Sequence, residues 1–133
     1  MAPSSERFSL RGRARSFVHA GAGLAHVLTT QHNARIHAVA TVAVVGMGVF
    51  FGVSRLEWCW LVAAIAAVWA AEAHNTALER LADAVKPERD RQVGRAKDAA
   101  AGAVLATSLG AAAIGLLVLG PHLWEWLRRL LEP

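Results

Sequence analysis

The chain has a single cysteine, Cys59, among its 133 residues. One thiol excludes an internal disulfide and any metal site built from a cysteine cluster. No phosphate-cradling Gly-x-x-x-x-Gly-Lys loop occurs, and Gly21-Ala-Gly23 is too short to act as a nucleotide loop. A serine nucleophile elbow and a His-Glu-x-x-His pair are both missing, which excludes those hydrolase and zinc-protease designs. His32 and His37 are five residues apart, a poor spacing for one metal on a helix, so the six histidines read as interface residues. No signal peptide is expected: the segment after Arg7, Arg11, Arg13 and Arg15 is interrupted by His and Gly before a compact apolar core can form. An even spread of charge is also lacking. Only 18% of residues are charged against 55% hydrophobic, mean hydropathy is +0.36, and the charges gather in blocks. That segregation points to an integral membrane protein of one domain. The net charge of +4 does not imply nucleic acid, because the basic residues flank apolar runs and no base-stacking aromatic motif accompanies them.

The expected architecture is all-α: a single membrane domain over residues 1–133 with three spanning helices and an amphipathic surface helix. Residues 1–6 read as a frayed tail. Over 7–30, Phe17, Ala20, Leu24 and Val27 or Leu28 recur at helical spacing among arginines, as in a basic helix lying in the membrane interface. Spans are expected at 36–53, 58–85 and 99–119, each of a length to cross hydrocarbon. Gly48-x-x-x-Gly52 suits close helix packing, and residues 54–57 read as a short turn. Lys86-Pro87 ends the second helix, leaving a charged loop to residue 98. Gly120-Pro121 stops the third, and an amphipathic tail over 122–133 carries Trp124, Trp126, Arg128 and Arg129.

Charge asymmetry orients this arrangement. Arg7, Arg11, Arg13, Arg15 and Arg35 precede the first span, and Arg80, Lys86, Arg89, Arg91, Arg95 and Lys97 lie between the second and third. Only Arg55 falls between the first two, so the positive-inside rule makes the N-terminus and the 86–98 segment cytoplasmic. Trp58, Trp60, Trp124 and Trp126 then form an aromatic belt at the outer interface.

The stretch Glu72-Ala-His-Asn75-Thr-Ala-Leu-Glu79-Arg-Leu-Ala-Asp83 follows directly on the apolar run that begins at Trp58. Spacings of three, four and four put Glu72, Asn75, Glu79 and Asp83 on one helix face. A charged group at mid-membrane costs roughly 2.5–3.5 kcal/mol, so such groups face a protein interior and serve function. The competing reading is a helix whose solvated face begins at Glu72. A second cluster, Gly94-Arg95-Ala-Lys97-Asp98, supplies bases for phosphate, with Asp98 also readable as a helix cap. A third, Gln31-His-Asn33-Ala-Arg35-Ile-His37, precedes the first span at the same surface. Acids for Mg²⁺, bases for phosphate and one carboxylate deep in the apolar phase together suit phosphoryl transfer to a lipid at the cytoplasmic interface.

Glu72-x-x-Asn75-Thr-Ala-x-Glu79-x-x-x-Asp83, then Lys97-Asp98-x-x-x-Gly102-Ala-Val, resembles the prokaryotic diacylglycerol kinase and undecaprenol kinase family. Ser16-Phe17-x-x-Ala20-x-x-Gly23 and Asn33-x-Arg35-Ile-His37 fit as well, so the resemblance runs from about Ser16 to Gly120. It implies a homotrimer in the bacterial inner membrane, with active sites shared between subunits, that uses ATP and Mg²⁺ to phosphorylate diacylglycerol or undecaprenol. On the matching positions, Glu72 is the general base and Asn75 supports it. Glu79 is a metal ligand, Lys97 contacts the nucleotide phosphates, and Asp83 and Asp98 help hold the nucleotide; Arg95, from the same cluster as Lys97, is a further candidate for nucleotide binding. Gln31 departs from the pattern, since a Glu that shares the metal usually stands there; an amide oxygen ligates without charge. The alternatives are a non-catalytic nucleotide- or lipid-binding protein of the same fold and a small transporter subunit with Glu72 as its ion site.

Overall fold

Each helix of this chain begins or ends on a local device that the sequence supplies. In the computed structural model, which describes residues 9–132, Ser9 accepts a hydrogen bond from Gly12 N–H at 3.3 Å and opens α1, Leu10–Thr30. Gln31, in extended backbone, separates α1 from α2, His32–Phe51. Arg35 donates from Nη2 to the Thr29 carbonyl at 2.6 Å, satisfying an end group of α1 that the helix itself leaves open. Residues 1–6 and the start of the expected 7–30 helix, up to residue 8, lie outside the described residues.

Gly52 stops α2. Its φ of 63° is in the left-handed region; Gly52 N–H donates to Val49 O at 3.2 Å and Val53 N–H to Gly48 O at 3.1 Å. That is the Schellman closure, which favours glycine because a side chain there would crowd the carbonyl. The two glycines of the expected packing motif therefore do different things. Gly48 is buried with the Trp58 ring against it, so close that a Cβ would sit 2.8 Å from the ring, whereas Gly52 ends the helix.

The expected turn over 54–57 is mostly helix. Ser54 caps α3, Arg55–Val85, with a reciprocal box: Glu57 N–H donates to Ser54 Oγ at 3.3 Å and Ser54 N–H to Glu57 Oε2 at 2.6 Å. The charged segment likewise shortens. α3 ends before Lys86, and α4, Arg91–Leu131, begins at Asp90, whose Oδ1 accepts from Gln92 N–H at 2.7 Å and Val93 N–H at 3.2 Å. Asp90 is thus the cap, and Asp98 lies two turns inside the helix. The third helix is correspondingly not confined to 99–119.

Nor does Gly120-Pro121 stop α4, which runs through Pro121 to Leu131. An interior proline costs about 3 kcal/mol in an isolated helix. Here packing holds the segment on both sides of it. Leu119 is buried with Leu61 and Val53, and His122 Nε2 meets Glu57 Oε1 at 2.9 Å. Phe51 stacks on the His122 ring at 6.0 Å, and Phe50 packs edge-on to Trp126 at 5.9 Å.

α3 and α4 form the principal antiparallel pair; α2 leans on both, and α1 touches α2 and α3. Trp58, Trp60, Trp124 and Trp126 accordingly share the end of the bundle where α3 starts and α4 finishes. α2, α3 and α4 are each long and apolar enough to cross a membrane, with hydropathies of 1.7, 1.4 and 2.1. Little of their surface is buried within one chain: Val42 and Leu116 are each 74% exposed. In water such surface would be a liability; in a bilayer it faces lipid or neighbouring helices.

Candidate active site

α3 carries the polar face that its spacing predicts, and exposure rises along it. Glu72 is 1% exposed and Asn75 8%, Glu79 is half-buried, and Asp83 is open to solvent. By helical rise the row covers about 16 Å, so one face joins an apolar interior to an aqueous end. This decides against a solvated face beginning at Glu72. Burial of Leu61, Ala64 and Val68, on the turns before it, carries the same seam of α3 inward.

Around Glu72 the polar atoms are incompletely paired. His37 Nε2 of α2 lies 3.9 Å from Glu72 Oε2, with side chains 15% and 2% exposed. Neither atom has a hydrogen-bond partner, and Asn75 Oδ1 and Thr76 Oγ1 beside them are also buried without one. Asn75 donates from Nδ2 to Glu79 Oε1 at 3.2 Å, which aims the two side chains at each other one turn apart. A buried polar group lacking a partner loses about 1–3 kcal/mol of solvation, so such groups mark where another molecule completes the set.

The backbone of His37 is tied to α3 through Thr41. Thr41 donates its hydroxyl to the His37 carbonyl at 2.7 Å, and Trp69 Nε1 of α3 donates to Thr41 Oγ1 at 3.1 Å. That chain fixes the register of α2 against α3. Spacing alone leaves His37 among the interface histidines. Its signal in the sequence is the pair His37 and Thr41, one turn apart, the last two polar side chains of α2 before a run that is apolar to Phe51.

The solvent end is a second group. Lys97 of α4 pairs with Asp83 of α3, and Lys86 pairs with Asp90 across the connection. A cavity of about 420 Å³ opens here, bordered by Asp83, Arg89, Arg91, Gly94 and Lys97. The Lys86 ammonium and the capping amides of Val93 and Gln92 hold the Asp90 carboxyl down at about 2. Arg95 and Asp98 are exposed on the same turns of α4 and enter no ion pair among the described residues. Gln31 sits half-buried at the α1–α2 junction, and its side chain makes no capping hydrogen bond.

One chain thus joins Asn75 with Glu79, Glu72 with His37, and Asp83 with Lys97. Among the described residues no side-chain hydrogen bond or ion pair links Gln31, Arg95 or Asp98 to any of them. Among the described residues no group of three His, Cys, Asp or Glu side chains forms a metal cage.

Residues 18–119 match the prokaryotic diacylglycerol kinase family. The chain is 37% identical over 109 residues to the undecaprenol kinase of Bacillus subtilis (strain 168), covering 82% of this chain and 89% of the relative. It is 34% identical over 109 residues to the diacylglycerol kinase of Synechocystis sp. (strain ATCC 27184 / PCC 6803 / Kazusa), covering 81% of this chain and 62% of that protein. No solved structure matches. A match that takes in the whole polar row of α3 and the start of α4 settles the class: the chain belongs to the prokaryotic diacylglycerol kinase family and is a membrane lipid kinase.

Proposed function

We propose that the protein transfers the γ-phosphate of ATP to the hydroxyl of a membrane lipid, undecaprenol or diacylglycerol, at the cytoplasmic face of the bacterial inner membrane. The observation that carries this reading is the buried, unpartnered Glu72 carboxylate at the apolar end of a face whose other end reaches Lys97. A lipid hydroxyl arrives from the hydrocarbon side and a nucleotide from water, and this row of α3 meets both.

Glu72 takes the hydroxyl proton as the oxygen attacks phosphorus; a carboxylate in an apolar setting is a stronger base than one in water. Asn75 supports that carboxylate and orients Glu79. Lys97 holds nucleotide phosphates, with Arg95, Asp83 and Asp98 around the nucleotide. Binding ATP then requires Lys97 to leave or share its ion pair with Asp83. The donor set suits Mg²⁺: Glu79 is an oxygen ligand with no lysine or arginine paired to it among the described residues, and Gln31 offers an amide oxygen. Magnesium held by Glu79 and Gln31 would neutralise phosphate charge during transfer.

A homotrimer with shared sites fits the same facts. Within one chain Gln31, Arg95 and Asp98 stand apart from the catalytic row, and the spanning helices leave wide apolar faces uncovered. The positive-inside count supports a cytoplasmic N-terminus and a cytoplasmic 86–90 connection, with α1 along the interface. Undecaprenol is the first acceptor to test, because the relative named for it is covered over most of its length. The assay is purified protein in bilayers with ATP, Mg²⁺ and each lipid, comparing wild type with Glu72→Gln. Turnover that falls by two orders of magnitude or more in the variant supports the kinase. Absence of turnover with any lipid turns the reading toward a non-catalytic member of the fold, for which Gln31 is the mark of lost chemistry.

A further inference from the structure

The geometry points to His37 as a second contact for the acceptor hydroxyl, opposite Glu72, an inference that rests on the lipid-kinase reading. His37 Nε2 and Glu72 Oε2 are 3.9 Å apart, beyond direct hydrogen bonding. Both atoms are buried and both lack a partner. A hydroxyl oxygen about 2.8 Å from each spans that gap and satisfies both at once. None of the described residues does so.

The two groups offer complementary functions. A carboxylate only accepts, so the alcohol O–H points at Glu72. The alcohol oxygen then has lone pairs left, and an Nε2–H on His37 donates to one of them while another faces phosphorus. In the transfer, the alcohol oxygen forms its bond to the γ-phosphorus. The bond from that phosphorus to the β,γ-bridging oxygen breaks, ADP departs, and the hydroxyl proton ends on Glu72. His37 keeps its proton throughout. Donating to the nucleophile lowers its reactivity somewhat, but holds it against the base, and that positioning is the larger effect.

Hydrocarbon has a place beside this contact. His37 borders an apolar cavity of about 600 Å³ between α2, α3 and α4, walled by Ile36, Val44, Leu61, Val68 and Leu119 among others. That size is in the range of small-molecule sites. An alcohol whose oxygen sits between His37 and Glu72 can lay its first carbons along the Ile36 and Val68 walls. The Trp69–Thr41–His37 chain, which ends on the His37 carbonyl, ties this turn of α2 to α3 beside the cavity.

The experiment uses the full chain in vesicles with ATP, Mg²⁺ and either undecaprenol or diacylglycerol. His37→Leu should raise KM for the lipid roughly tenfold, the loss expected for one buried hydrogen bond, and leave KM for ATP unchanged. His37→Gln, which keeps an N–H donor, should recover most of that loss. A lipid KM for His37→Leu within twofold of wild type overturns the contact while leaving the kinase reading in place. A second measurement covers a variant that fails to fold. In wild type with histidine-¹⁵N label and no ATP, farnesol added to the vesicles should shift the His37 Nε2 resonance, and an unmoved resonance overturns the proposal. Should wild type phosphorylate no lipid, the kinase reading falls, and the farnesol titration alone decides the contact.

Discussion

Two carboxylate–histidine pairs stand about 22 Å apart along α3 by helical rise, and they are built differently. At the start of the helix, Glu57 uses both oxygens: Oε1 meets His122 Nε2 at 2.9 Å, and Oε2 accepts from Ser54 N–H at 2.6 Å. Its side chain is 29% exposed and that of His122 31%. At the other end, Glu72 and His37 are 2% and 15% exposed, 3.9 Å apart, and each keeps an unpartnered atom. The satisfied pair fastens three chain segments, namely the α2–α3 turn, the first turn of α3 and the far end of α4. The unsatisfied atoms of the other pair close on no group among the described residues. The same two residue types are therefore a clasp where their hydrogen bonds close on the protein, and where they do not they form the proposed reaction site.

Exchanging the charge at each pair is the strongest way to break this contrast. Glu72→Gln should lower kcat by about 10²–10⁴, the range for removing a general base, and leave thermal stability equal or higher, because a buried group without a full set of partners is replaced by a neutral one. Glu57→Gln should do the reverse. It leaves kcat near wild type and lowers Tm by weakening the capping box and the tie to His122. Measured together, lipid-phosphorylation rates and thermal unfolding give a crossed pattern. A stability loss in Glu72→Gln as large as that in Glu57→Gln would show that Glu72 is structural and end the distinction.

The half of this comparison on α3 is legible in the sequence. Glu72, Asn75, Glu79 and Asp83 fall on one face through helical periodicity alone, and burial of the first two follows from the apolar run ahead of them. His122 is not legible, and His37 is legible as part of the Asn33-x-Arg35-Ile-His37 stretch but not as the neighbour of Glu72. His122 is 65 residues from Glu57 and meets it only because α4 continues past Pro121. Proline is a local signal for a helix end, and the packing of Leu119 and His122 that overrides it is not local. His37 reaches Glu72 through the register of α2 on α3, set by Trp69 and Thr41, which periodicity within one helix cannot give. Asp98 reads as a cap because an acid at the head of an apolar run fits one; Asp90 takes that part because its carboxylate reaches the Gln92 and Val93 amides.

Gln31 sharpens the reactive side of the contrast at a smaller scale. Replacing it with Glu adds a negative charge to the proposed Mg²⁺ site, where Gln31 would join Glu79 between subunits, and ligand charge sets cation affinity. The Mg²⁺ concentration for half-maximal activity should fall several-fold. An unchanged midpoint in a Mg²⁺ titration would remove Gln31 from the metal site and leave Glu79 as this chain's contribution.

Gly48 tests the structural end by packing alone. A methyl at this position lies 2.8 Å from the Trp58 ring, which must shift, whereas a methyl at Gly46 would meet nothing within 4 Å. Gly48→Ala should destabilise by about 1 kcal/mol, at the low end for overpacking because the atoms met are the far edge of the ring. Gly46→Ala should be neutral or slightly stabilising through helix propensity. Both should keep wild-type lipid KM, since neither touches the Glu72 end; a rise in that KM for Gly48→Ala would mean the two ends are coupled through α2.

The smallest effect concerns a carboxylate that resembles Glu57 in being satisfied but stands at the reactive end. Asp90 joins α3 to α4, paired with Lys86 and capping Gln92 and Val93, and these partners hold its carboxyl at about 2 against an ordinary 3.8. A folded value below the unfolded one means the charged form favours the fold. Its contribution is fully present above 3.8 and is lost as pH falls through about 2. Because the group is open to solvent, salt should weaken it. The Val93 amide resonance, which reports the cap directly, should titrate near 2, and Asp90→Asn should remove that titration while keeping an oxygen to accept from the amides. A midpoint partway between 2 and 3.8 would mean that the capping amides hold Asp90 in solution but Lys86 does not. The connection beside Lys97 would then owe its shape to the capping bonds alone, and Lys86 would join the cations free to meet a nucleotide.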